Sequence, residues 1–138
     1  MNRFDITHLE VARVYSTLST AQRAKVGCII VKDNRIISIG YNGTPSGWSN
    51  ICEDENNETK PEVLHAETNA IAKLARSNES GEGATLYCTH SPCLSCSKLI
   101  YQSGIERIVY ETNYAGREGT EFLLKAGVVV EGLYDAVS

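Results

Sequence analysis

A chain of 138 residues, 42% hydrophobic and 22% charged, has the length and composition of one compact domain, and residues 1–138 are expected to form one. These proportions exclude a disordered, collagen-like or coiled-coil chain, and no apolar run approaches the ~18 residues of a membrane span. Thirteen Lys and Arg against seventeen Asp and Glu give a net charge of −4 with no dense basic run, which makes long DNA or RNA a disfavoured partner.

The N-terminal residues lack the apolar core of a secretory signal, so a cytoplasmic location with reduced thiols is expected. Val11, Val14, Tyr15 and Leu18 recur at helical spacing and predict a first helix over residues 7–18. Residues 26–31 and 35–41 are rich in β-branched side chains and flank Asp33-Asn34, the pattern of an antiparallel hairpin. Residues 42–61 read as a long loop holding most of an acidic run, and loops of that length inside compact domains are usually functional. A second helix is predicted over 63–76 and a strand over 84–89. Pro92 is expected just inside a third helix that Gly104 ends. A strand over 105–110, a helix over 118–126 stopped at Gly127, and a short strand over 128–130 complete the order. It implies an α/β fold with a mixed five-stranded sheet flanked by helices.

Two motifs carry chemistry: His65-Ala66-Glu67 at one helix start and Pro92-Cys93-Leu94-Ser95-Cys96 at another. Thiolates and imidazole are preferred zinc ligands, and the positive end of a helix favours ionised sulfur. Three protein ligands leave the fourth position of a tetrahedral ion open to water, the mark of a catalytic site, and Glu67 lies near enough to address that water. A lone Cys-x-x-Cys fits a redox pair or a structural zinc corner equally well. His-x-Glu followed by Pro-Cys-x-x-Cys is the established signature of zinc nucleobase deaminases.

With these motifs, Val26-Gly27 and Gly40-Tyr41-Asn42-Gly43-Thr44-Pro45-Ser46-Gly47, the chain resembles the deoxycytidylate deaminases over nearly its whole length. The resemblance implies a three-layer cytidine deaminase-like fold and hydrolysis of dCMP to dUMP and ammonia, feeding thymidylate synthesis. It implies Zn2+ on His65, Cys93 and Cys96, with Glu67 shuttling protons between water, the base and the departing amine. By the same pattern Asn42 and Thr44 meet the substrate, the Ala66 backbone reads the base edge and Tyr114 packs near the nucleotide. Arg23 is the candidate for phosphate, since its planar fork suits that anion. The family also implies a homo-oligomer, with a hexamer favoured, in which dCTP activates and dTTP inhibits. These effectors would bind with Mg2+ at a separate site near Asn42 and Gly43.

The alternatives are a deaminase that also accepts dCTP, a tRNA adenosine or polynucleotide cytosine deaminase, a free-nucleoside cytidine deaminase, and an inactive metal-binding or nucleotide-sensing module. His65 stands where nucleoside deaminases usually carry cysteine, and retention of Glu67 has no purpose at an inert zinc corner. Cys28 and Cys88 fall in predicted strands and read as small core residues, His90 as a residue lining the rim, and Trp48 as a loop residue that is exposed or closes over a site.

Overall fold

The computed structural model describes residues 1–134. They run as α1 (Arg3–Ser16), β1 (Gly27–Lys32), β2 (Arg35–Tyr41), α2 (Ala66–Ala75), β3 (Thr85–His90), α3 (Leu94–Gln102), β4 (Arg107–Thr112), α4 (Glu118–Lys125) and β5 (Val129–Gly132). The strands form one mixed sheet in the order β2-β1-β3-β4-β5, antiparallel between β2, β1 and β3 and parallel from β3 to β5. The expected hairpin is present: Asp33 and Asn34 both adopt positive φ, 51° and 59°, as a tight two-residue turn requires.

Strand alternation sorts the core onto two faces. Cys28, Ile30, Leu86, Cys88 and Ile108 pack with Ala70 and Leu74 of α2, Ile100 of α3 and Leu123 of α4. Ile29, Val31, Tyr87 and Val109 point the other way and pack with Leu9 of α1. The result is the three-layer arrangement expected, with one helix on one face and three on the other.

Several element boundaries differ from those read in the sequence. The first helix begins at Arg3, because Asn2 and Asp5 form a reciprocal capping box with two 3.0 Å bonds. Leu9 and Ala12 are its fully buried apolar residues, Val11 and Tyr15 of the expected stripe pack part-buried against the same core, and Val14 is 66% exposed. That rotation puts Asp5 on the buried face, where hydropathy alone would not place it. Arg107 grips Asp5 with two bonds of 2.9 and 2.8 Å, and the Tyr87 hydroxyl donates to it at 2.7 Å. Arg107 also reaches Glu131 at 3.1 Å, so three elements meet at one guanidinium. The second helix begins three residues later than expected, because Leu64 is engaged in a β-bridge with Gly43 and His65 stays extended as the N-cap. Pro92 lies before the cap of α3, not inside the helix, since Cys93 is the N-cap.

Arg107 holds the Asp5 carboxyl well below its ordinary value of 3.8. A carboxylate with a depressed folded pKa contributes stability above its unfolded pKa, and that stability is lost as pH falls through the folded one. Asp5→Ala is expected to cost about 3 kcal/mol in urea melts at pH 7. Asp5→Asn should abolish the share of acid destabilisation that wild type shows below pH 4.

Candidate active site

The site lies at the sheet edge where β2 and β3 end and antiparallel β1 begins. Two main-chain approaches fix it there. Gly40 carries no Cβ because one would collide with the Ala66 carbonyl and the Ala70 backbone, so the first turn of α2 rests directly on β2. The paired Gly43 and Leu64 backbones, with bonds of 3.1 and 2.8 Å, then deliver His65 to the helix start. On the other side β3 ends at His90 and the chain turns through Ser91 and Pro92 to Cys93, the cap of α3. Neither cap side chain bonds back to its own helix, which leaves both free to face the gap between the two helix starts.

In that gap the sequence-predicted ligands meet. His65 Nδ1 is 3.3 Å from Cys96 Sγ and 3.5 Å from Cys93 Sγ, and all three donor atoms lie within 4.8 Å of one another. Tetrahedral zinc, with its usual bonds to nitrogen and sulfur, sets N···S separations of about 3.6 Å. The donor chemistry and spacing therefore fit this ion. Burial and the neighbouring Glu67 carboxylate push the Cys96 thiol up, a bias that a coordinated cation reverses. Thr68 Oγ1 stands 3.6 Å from Cys96 Sγ, where its hydroxyl can donate to a thiolate and fix its orientation.

Glu67 is 4% exposed and lines the cavity that opens beside the three ligands. Desolvation by burial pushes its carboxyl up to about 7, against the opposing pull of its own backbone N–H. Ala66, Asn42, Arg23 and Tyr114 line the same cavity, as does His90. Thr44 and Gly43 stand outside that lining. The Asn42 side chain accepts from the Val26 N–H at 2.9 Å and donates to the Ala24 carbonyl at 2.8 Å, leaving one donor and one acceptor position over. Gly43 has its N–H committed to Leu64, while its Cα face is open: a methyl group placed there would meet nothing within 4 Å. Trp48 is exposed and lies outside the cavity lining. Cys28 and Cys88 are core residues facing each other across β1 and β3.

Three further residues build the site beyond the site candidates named from the sequence. Ser91 donates to Asn113 Oδ1 at 3.0 Å and accepts from the Tyr114 N–H at 2.9 Å, which anchors the segment carrying Tyr114 over the cavity. The Tyr114 ring meets His90 edge-on at 5.1 Å. Thr68 is the second residue. The third is Glu53, 7% exposed, which accepts from the Gln22 and Arg23 backbone N–H groups at 2.8 and 3.2 Å. A serine before Pro-Cys was a legible signal of a local turn. Glu53 was hidden in an acidic run that reads as solvated surface.

Residues 3–112 match the family model for the cytidine and deoxycytidylate deaminase zinc-binding region. The chain is 36% identical over 137 residues to the deoxycytidylate deaminase of Saccharomyces cerevisiae, covering 92% of this chain but 44% of the yeast protein. It thus spans less than half the length of that relative. It is 35% identical to the deoxycytidylate deaminase of Enterobacteria phage T4, covering 90% of this chain and 86% of that protein. The crystal structure of dCMP deaminase from cyanophage S-TIM5 in complex with dCMP and dUMP superposes with a TM-score of 0.92 at 44% identity, over 96% of this chain and 98% of that one.

Elemental analysis should find one zinc per chain, falling towards zero in His65→Ala or Cys96→Ser. Thr68→Val should keep the ion with an affinity about tenfold weaker, read by competition with a chromogenic chelator.

Proposed function

Because the chain belongs to the cytidine and deoxycytidylate deaminase family, we propose that it hydrolyses the exocyclic amine of dCMP to give dUMP and ammonia. The observation that carries this reading is a buried carboxyl, Glu67, in one cavity with His65 and Cys93 of a three-ligand His-Cys-Cys centre. The likeness to a solved dCMP deaminase holding dCMP and dUMP supports the choice of base and sugar.

His65, Cys93 and Cys96 would hold zinc, which when bound would supply the Lewis acidity that makes water a strong nucleophile near neutral pH. Glu67 accepts the proton of that water as the nucleophile attacks C4 of cytosine. It passes that proton to N3, then takes the second proton from the new C4 hydroxyl and gives it to the amine, so that the C4 carbonyl forms as the C–N bond breaks and ammonia leaves. A carboxyl raised to about 7 by burial gives and takes protons readily in this pH range. The Ala66 backbone reads the base edge, Asn42 holds the sugar side, and Tyr114 packs over the nucleotide. Arg23 takes the phosphate.

The reading extends to one deaminase domain over residues 1–138, acting in the cytoplasm as a homo-oligomer, a hexamer by the family pattern, and feeding thymidylate synthesis. Regulation by dCTP as activator and dTTP as inhibitor, each with Mg2+, is proposed at Asn42 and the open face of Gly43.

Glu67→Gln should retain one zinc and lose about 1,000-fold in kcat, measured by loss of cytosine absorbance; a normal rate removes Glu67 from the chemistry. Wild type should turn over dCMP, not single-stranded DNA, and lose activity on chelation; turnover of dCTP as well would mean a broader phosphate site. At millimolar concentration dTTP should lower the rate and dCTP raise it, with a rise in melting temperature for each. No change in either quantity rejects the regulatory site.

A further inference from the structure

Arg23 is the one Lys or Arg lining the cavity among the described residues, and its side chain is exposed with no described hydrogen bond or ion pair. Such a flexible cation is positioned only as well as its backbone is. That backbone lies in the stretch between α1 and β1, which has no regular structure to hold it.

What holds it is Glu53. One oxygen, Oε2, accepts from two successive N–H groups, those of Gln22 at 2.8 Å and Arg23 at 3.2 Å. The side chain is nearly buried and lines the same cavity. Its own backbone is fixed by a small hairpin. Glu53 pairs with Thr59, the Asp54 N–H donates to the Glu58 carbonyl at 2.8 Å, and Asp54 Oδ1 takes the N–H groups of Asn56 and Glu58 at 2.8 and 3.0 Å. A second tie joins the two segments, since the Thr20 hydroxyl donates to the Asn50 carbonyl at 2.6 Å. The acidic loop is therefore a clamp on the stretch 20–23 and not a solvated tail.

We propose that Glu53 is a positioning residue for monophosphate recognition: by holding the Gln22 and Arg23 N–H groups it aims the Arg23 guanidinium at the substrate's phosphate. The proposal rests on the reading of Arg23 as the phosphate contact. A carboxylate beside a phosphate site is costly unless its charge is engaged elsewhere, and two N–H donors on one oxygen provide that engagement. Glutamine offers an oxygen in the same place without the charge, so it should preserve the geometry.

The readout is the ratio of kcat/KM for dCMP to that for deoxycytidine, which differ only in the phosphate. Glu53→Ala should lower this ratio about tenfold, through KM for dCMP. Glu53→Gln should keep it at or above the wild-type value. Added to Arg23→Ala, Glu53→Ala should lower it no further, because the guanidinium it aims is gone. Equal losses on both substrates, no loss, or additive losses in the double variant overturn the proposal. If Glu53→Ala does not fold, Glu53→Asp, too short to span both N–H groups, carries the same expectation. The two readings fail separately: a wild-type ratio near one rejects Arg23 as a phosphate contact, whereas a high wild-type ratio untouched at position 53 rejects Glu53 alone.

Discussion

Two helix N-termini point into one gap, and most of the site follows from that constraint. Each start concentrates positive partial charge from its unpaired N–H groups, and two of them facing one space repel unless negative charge sits between. The residues at those starts are His65 and Cys93, with Cys96 one turn further on. Thiolates meet the demand for negative charge, and a dication between them prevents the sulfurs from repelling each other in turn. The helix starts, the thiols and the metal are thus one electrostatic arrangement that no member satisfies alone.

The same gap decides what Glu67 becomes. One helical turn nearer solvent it would be an ordinary carboxylate. Placed on the inward side of α2 it is desolvated, and its proton affinity rises into the range where a group can serve as acid and base in one cycle. Its neighbours are arranged around it by main-chain bonds: Asn42 ties the entry to β1, Ser91 ties the segment of Tyr114, and Glu53 ties that of Arg23. Polar side chains near the site thus serve the backbone first and face the cavity with what capacity remains.

Much of this was legible in the sequence, for identifiable reasons. His65, Glu67, Cys93 and Cys96 could be read because metal chemistry allows few residue types and helical spacing fixes their separation. The strands could be read because β1 to β4 are short apolar runs bounded by turn residues. Asp5 could not, since a buried carboxylate is betrayed only by an arginine 102 positions away. Nor could the start of α2, where propensity favours helix from Val63 but pairing with Gly43 keeps Leu64 extended. Glu53 escaped for a related reason: its acid neighbours face water, and only tertiary folding distinguishes it from them. In each case the deciding partner is distant along the chain, which local periodicity cannot register.

Gly40 has a mechanical consequence. Where most helices ride on a sheet through a cushion of interlocking side chains, the first turn of α2 touches β2 main chain to main chain. Side chains differ in volume and change rotamer, while the thickness of a backbone is nearly invariant. The distance from the sheet to His65 and Glu67 is therefore insulated from the size of core residues elsewhere. A larger or smaller group at Leu74, near the far end of the helix, tilts α2 about this point as a lever about its fulcrum. The end that carries the chemistry moves least.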